Sequence, residues 1–511
     1  MQKRSVIFLT ALTALLVGVA TALVYWPTTS CGILDWDDQF HLTDNPFLQP
    51  DSPDRFGHFW KQQHGNLCIP IAYNAWALIY QASMDDFERP RASVLHGTNI
   101  IVHAMNASLV FVLLWRMLRR LRESAASLHS EQTHKETFHA LAASALGALL
   151  FAAHPLQVES VAWISEFRGL SSALFGLLAM IAYLESTRRR KKHLWIWNLA
   201  GLLCFALSLL CKPSAAAIPL MLIVIDRLIL QRNWRDSALS IIPWMFLSAF
   251  SLVMMRGLQG GTDSVESTAW WVRPFIASDA IVFYLRQFFW PLELSADYSR
   301  TTSIAMASGA LFWLSWLIPT TLIALLIWRR WSKALACFLL AIAALAPVLG
   351  LVPFDFQRIS TVADRYMYLA LLGPALGMSL LIARFPKPLT FAASVIVVGL
   401  LAMLVPNQLR TWRDNQTIWT HAREVNDRAI VARANLAAQL VEAGQYAEGE
   451  KRFQQLIELA PNRVNGYLGL ADLATRSGDR SGAEHLYRKA FEVDPINTTA
   501  SSRLGFVLLE Q

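Results

Sequence analysis

Residues 5–26 read SVIFLTALTALLVGVATALVYW, and a short link leads from them to Asp35-Trp36-Asp37-Asp38-Gln39. The first stretch carries no charge and is long enough to cross a hydrocarbon core about 30 Å thick. Hydrocarbon offers no partner for backbone amides, so such a run must close its hydrogen bonds internally, as a helix. Lys3 and Arg4 precede it. A cleavable signal peptide is the alternative reading. The length of the run, and the lack of a small-residue cleavage site at Tyr25-Trp26-Pro27, favour a retained anchor. The acidic pair Asp37-Asp38 then lies just past the membrane, where carboxylates can meet a lipid-borne substrate.

The same physics extends along the chain. Of its 511 residues 54% are hydrophobic and 16% charged, more apolar than a soluble core requires. The net charge of +8 does not point to nucleic acid, because the basic residues sit in particular loops and not on one face. Arg116 to Arg122, Arg188 to Lys192, Arg227 to Arg235, Arg329 to Lys333, and Arg384 with Lys387 each border an apolar run, as the positive-inside rule describes. With those loops in the cytoplasm, eleven spans follow, near 5–26, 94–115, 138–153, 169–185, 194–211, 214–230, 238–256, 305–327, 334–352, 366–383 and 388–405. The amino terminus is then inside and everything after 406 outside. Segment 274–294 contains Asp279 and Arg286 and would break this alternation, so it reads as an external interfacial or re-entrant helix.

The first external loop, 27–93, is long and rich in aromatic residues, which argues for a folded element at the membrane surface. Beyond 428 the hydropathy falls and a 34-residue period sets in, with Leu436, Leu470 and Leu504, Gly444 and Gly478, Phe453 and Tyr487, and Pro461 and Pro495 in register. This is the mark of tetratricopeptide helix pairs. So few repeats need support, which the amphipathic stretch 408–427 can supply by leaning on the membrane domain. The repeats read either as a peptide-binding module or as a packing cap.

Several polar residues can carry chemistry. Asp37 or Asp38 suits a general base; the plain alternative is a solvated turn. Lys212, immediately before Pro213, combines an ammonium with a helix start, a natural anion site, or else it snorkels at the interface. The link from His154 to Arg168 brings Glu159, Glu166 and Arg168 to the outer face, with His154 more often a structural hydrogen-bonding partner. Arg358, Asp364, Arg365, Tyr366 and Tyr368 precede the tenth span. Arg365 can clamp a phosphate or pair with Asp364. His96, Asn99, His103 and Asn106 form a polar stripe suited first to interhelical hydrogen bonds. No histidine pair at metal spacing accompanies His154, so no structural zinc is expected. Cys31 and Cys68 flank the acidic pair and are candidates for a disulfide in an oxidising compartment; Cys204, Cys211 and Cys337 fall within spans as filler.

Taken together, the Asp37-Asp38 loop, Asn45-Pro46, the His96-Asn99-His103 stripe, His154 through Trp163, Lys212-Pro213 with Asp226, Ala363-Asp364-Arg365-Tyr366, and the Arg410-Trp412 to Trp419 stretch leading into the repeats resemble the bacterial relatives of the transmembrane and tetratricopeptide repeat-containing O-mannosyltransferases, within the GT-C superfamily. The resemblance covers nearly the whole chain. It implies an all-α fold: a GT-C membrane domain over 1–405, a connecting segment over 406–427 and repeats over 428–511. It implies an inverting glycosyltransferase of the bacterial inner membrane, with amino terminus cytoplasmic and repeats periplasmic. Its donor would be a polyprenyl-phosphate sugar and its acceptor the Ser/Thr hydroxyls of an exported protein, such as a pilin, recruited by the repeats. Asp37 would be the base, Asp38 its support, and Lys212, Arg168, Arg358 and Arg365 the donor-phosphate ligands. His154, Glu159, Asp364 and Tyr366 would line the cavity. Members of the superfamily differ in metal use, which leaves a divalent cation open. Two departures, Ile69-Pro70 in place of an arginine before the proline and Phe167-Arg168-Gly169 in place of Arg-Lys-Asp, touch substrate-facing positions and leave the sugar and acceptor open. A glycolipid glycosyltransferase and a non-catalytic repeat scaffold are the competing readings. A transporter is disfavoured by the lack of an internal repeat among the spans.

Overall fold

The computed structural model describes residues 3–49, 51–65, 67–85, 89–125, 134–188, 194–258, 268–495 and 497–509; residues 189–192 of one basic cluster lie outside them. Among the described residues the elements are helical, apart from two isolated bridges, His64 with Leu67 and Met84 with Pro90. Eight described helices are long and apolar enough to cross a membrane: Arg4–Ser30, Ala92–Glu123, Glu136–Ala153, Ile164–Ser186, Leu194–Cys211, Trp234–Met254, Ala310–Trp328 and Pro388–Thr411. The pair Asp364–Ala370 and Leu372–Arg384, bent by 43°, makes a ninth if it is one broken span.

The two other expected spans are helical but irregular. Ser332–Val348 is shorter. Residues 213–229 are assembled from a tight turn at Pro213–Ala217, a helix at Ile218–Val224 and a wide turn at Ile225–Ile229. Pro213 and Pro219 each lack an amide donor, which favours such segmentation. Helix Arg273–Phe289 does not qualify as a span. Its charges are answered from the chain that follows, Asp279 by Arg300 at 2.7 Å and Arg286 by Glu293.

The chain is a multispanning membrane protein whose long helices keep apolar faces such as Phe8, Phe246 and Met403 exposed, toward lipid, which asks for no burial. Without a hydrophobic drive between helices in lipid, close backbone approach and polar contacts hold them together. A Cβ on Gly18 would stand 2.7 Å from Ser108 Oγ, and one on Gly147 2.5 Å from the carbonyl of Ala375. The stripe on Ala92–Ala125 adds interhelical bonds: Asn99 donates to the carbonyls of Val161 and Trp163, and Asn106 to that of Leu170. His103 Nε2 faces the Ala152 carbonyl, so it donates there and Nδ1 accepts from the Tyr368 hydroxyl at 2.8 Å.

The repeat helices start at residues 430, 464 and 498, with partners starting at 446 and 480, so the period is 34 residues. Gly444 and Gly478 follow the ends of equivalent helices at φ 78° and 80°, a conformation glycine adopts without strain. The array is anchored to the membrane domain. Asp297 accepts from the amides of Val431 and Ala432, capping helix Ile430–Glu442 from a distant loop, while Ser299 accepts from Ile430 and the Tyr298 carbonyl from Asn426. Trp36 bridges three segments, its ring 5.1 Å from Trp163 and 5.2 Å from Trp419.

Candidate active site

The segment that follows the first membrane helix folds around its aromatic residues. Phe59 stacks on Tyr73 with centroids 4.2 Å apart, and His41 lies against Trp76. This packing holds the turn that carries the acidic pair, and the two adjacent aspartates meet opposite fates. Asp38 is fully buried and accepts from Leu34 N at 3.2 Å, Ser165 N at 2.9 Å and Ser165 Oγ at 2.5 Å. Burial pushes its carboxyl up to about 6 although those hydrogen bonds oppose the shift. Asp38 is therefore a clamp between the first loop and the 163–168 link, and it presents no oxygen to a substrate. Asp37 keeps 35% of its side chain exposed, with Oδ2 3.4 Å from Arg168 Nη2.

Arg168 starts a chain of ion pairs. Its Nε lies 3.6 Å from Glu166 Oε1, and Glu166 Oε2 lies 2.7 Å from Lys212 Nζ. Arg365 approaches Glu166 at 3.9 Å, pairs directly with Glu159, and donates its backbone amide to the same carboxylate at 2.9 Å. The network balances three carboxylates against three cations, with Glu166 as its hub. Glu166, Glu159 and Arg365 are sealed, at 2%, 2% and 6% exposed, whereas Lys212 is 20% and Arg168 12% exposed. Asp37, Arg168 and Lys212 thus form the accessible edge.

His41 backs that edge from within, buried at 4% exposed. Arg168 Nη1 lies 3.3 Å from His41 Nε2, and because a guanidinium only donates, Nε2 accepts and Nδ1 carries the proton toward the Tyr73 oxygen at 2.7 Å. Burial first, then the positive Arg168, holds the imidazole well below its usual range, so it is neutral at pH 7. Sequence reasoning missed His41 and Tyr73. The sole local signal was the spacing of His41 from Asp37, whose carbonyl accepts the His41 amide.

Other candidates lie elsewhere or serve the frame. His154 is buried, its Nδ1 accepting from Leu156 N and its Nε2 facing the Phe288 carbonyl, so both nitrogens are spent on structure. Arg358 pairs with Asp355 and with Asp494 of the repeats at 3.1 Å, tying the array down instead of meeting a phosphate. Asp364 accepts from the Tyr298 hydroxyl at 2.8 Å, and Arg365 lies over the rings of Trp163, Phe356 and Tyr366, a brace beneath the site and not a clamp at its mouth. Tyr366 is half-buried beside it. Cys31 and Cys68 are free thiols: Cys31 is buried where Gly32 bonds to the Arg413 carbonyl, while Cys68 precedes helix Pro70–Ser83. The carboxylates of the network face the protein's own cations, and among the described residues no three His, Cys, Asp or Glu side chains gather as metal ligands.

Fold and site together define a multispanning, all-helical membrane protein with a charged network at one membrane face. In sequence the chain is 26% identical over 219 residues to Protein O-mannosyl-transferase Tmtc3 of Drosophila melanogaster, covering 39% of this chain and 22% of that protein. It is 24% identical over 387 residues to Protein O-mannosyl-transferase F38B6.6 of Caenorhabditis elegans, covering 72% and 51%. With Protein O-mannosyl-transferase TMTC2 of Homo sapiens the identity is 32% over 89 residues, 17% of this chain and 11% of the relative. The chain is thereby related to the TMTC O-mannosyl-transferases, and it spans between about a tenth and about half of the length of these relatives. No family model and no solved structure matches it.

Proposed function

We propose that this chain is an inverting membrane glycosyltransferase that moves a sugar, mannose by analogy with its relatives, from a polyprenyl-phosphate donor to Ser or Thr hydroxyls of an exported protein. The reaction takes place on the membrane face opposite the basic loops, the periplasmic face of a bacterial inner membrane, with the amino terminus in the cytoplasm. The observation that carries this reading is the accessible edge itself: one open carboxylate, Asp37, set beside Arg168 and linked through Glu166 to Lys212.

In this mechanism Asp37 takes the proton of the acceptor hydroxyl as its oxygen attacks the anomeric carbon. The bond from that carbon to the phosphate oxygen breaks on the opposite side, and the electron pair leaves on the phosphate. Arg168 and Lys212 stabilise that developing charge where it forms. No carboxylic acid has to protonate the leaving group, because a phosphate neutralised by cations departs unaided. The test is transfer from a labelled polyprenyl-phosphate mannose to a Ser/Thr-containing protein by purified, detergent-solubilised chain. Asp37→Asn keeps shape and removes basicity; loss of transfer with an unchanged melting curve supports the assignment, and full retained transfer ends it.

A further inference from the structure

A groove of about 470 Å³ lies away from the charged network, between the connecting helix Asn415–Val425 and the first repeat pair, Ile430–Glu442 and Tyr446–Leu459. Three cations line it, one from each helix: Arg423, Arg433 and Arg452. No Asp or Glu is among its lining residues. Arg423 is exposed and holds no ion pair among the described residues. Arg433 and Arg452 pair with Asp427 and Glu448, whose side chains are 90% and 40% exposed; a pair with a solvated partner contributes little, so an incoming anion can replace it.

The rest of the lining suits a polypeptide. Gln439 and Gln455 each offer an amide donor and acceptor, the complement of a peptide backbone. Leu436 and Leu440 form an apolar floor on which side chains can settle. The volume lies within the usual range for binding sites, about 300 to 1,000 Å³. We infer that this groove binds an extended acidic segment of the acceptor protein, held by the three arginines and positioned beside the membrane domain. The identity of the partner rests on the function proposed above; the binding chemistry does not.

The experiment uses the full-length protein in detergent and fluorescence anisotropy with three fluorescein-labelled peptides of equal length, Glu/Ser, Gln/Ser and Lys/Ser. The Glu/Ser peptide is expected to bind most tightly, with affinity falling as salt rises. Arg423→Gln and Arg452→Gln should each weaken it about fivefold, and Arg423→Glu with Arg452→Glu should turn the preference toward Lys/Ser. These side chains are exposed, and an unchanged melting curve verifies the fold. Equal affinities for the three peptides, or arginine variants that bind as the parent does, overturn the inference. So does binding of phosphatidylglycerol/phosphatidylcholine vesicles through the same arginines without binding of Glu/Ser peptide. Asp37→Asn should bind Glu/Ser unchanged, so loss of the catalytic reading and loss of the groove are told apart.

Discussion

Helix Phe167–Ser186 has a charged network at each end, and the two differ in one respect. At its carboxyl-terminal end Tyr183 donates to Asp226 at 2.7 Å, Arg232 pairs with the same carboxylate at 2.6 Å, and Glu185 pairs with Arg116 at 2.7 Å. Asp226 has no exposed surface. At its amino-terminal end the same residue types recur, yet Asp37 keeps an open face. A carboxylate sealed from solvent braces helices; one with an exposed side can take a proton from another molecule. Residue type does not separate the two ends, but access does.

The largest effect is expected at Asp37, the open carboxylate. Asp37→Asn is expected to lower sugar transfer about 10²- to 10⁴-fold, the usual contribution of a general base, with no shift in melting temperature. Glu166→Gln strikes the hub: Lys212 loses its carboxylate partner while Arg168 keeps only Asp37, and thermal unfolding should report a loss of about 3 kcal/mol along with reduced transfer. At the carboxyl-terminal end Asp226→Asn should cost about 1 to 2 kcal/mol of stability and leave transfer per folded molecule unchanged. A loss of turnover there without a loss of stability would erase the distinction between the ends.

Asp38 sharpens the contrast through pH. Its carboxyl is raised in the folded state from 3.8 to about 6, so the folded protein binds this proton more tightly than the unfolded chain does. The associated stability is fully present below 3.8 and is lost as pH rises through about 6. Melting temperatures measured across that window should fall with pH in the parent, and Asp38→Asn should flatten this part of the profile. The smallest effect belongs to the exposed pair Lys61–Asp54: Asp54→Asn should shift stability by less than about 0.5 kcal/mol, as melting curves would record.

Much of the architecture was legible from residue order. Each apolar run carries its own transfer energy, and a bilayer obliges such a run to become a helix, so the segments near 5–26, 94–115 and 388–405 needed no partner to be recognised. The repeats were equally plain, since a 34-residue period is a one-dimensional signal. Segment 213–229 was harder, because its two prolines divide a run that hydropathy alone reads as continuous. The site was legible only in outline. Asp37, Arg168, Glu159, Lys212 and Arg365 could be nominated by position, but Arg358 went to the repeats and His154 to the frame.

The succession of membrane helices, the acidic turn after the first of them and the 34-residue period are all properties of neighbouring residues, and so can be read along the chain. Tertiary structure alone decided which of two adjacent aspartates is sealed and which is open. The seal on Asp38 comes from Ser165, 127 residues away, and the tie between Glu159 and Arg365 spans 206 residues. Solvation and pairing of a charge depend on what packs around it, and packing at such separations is set by the helices as they assemble, not by the residues beside it in the chain.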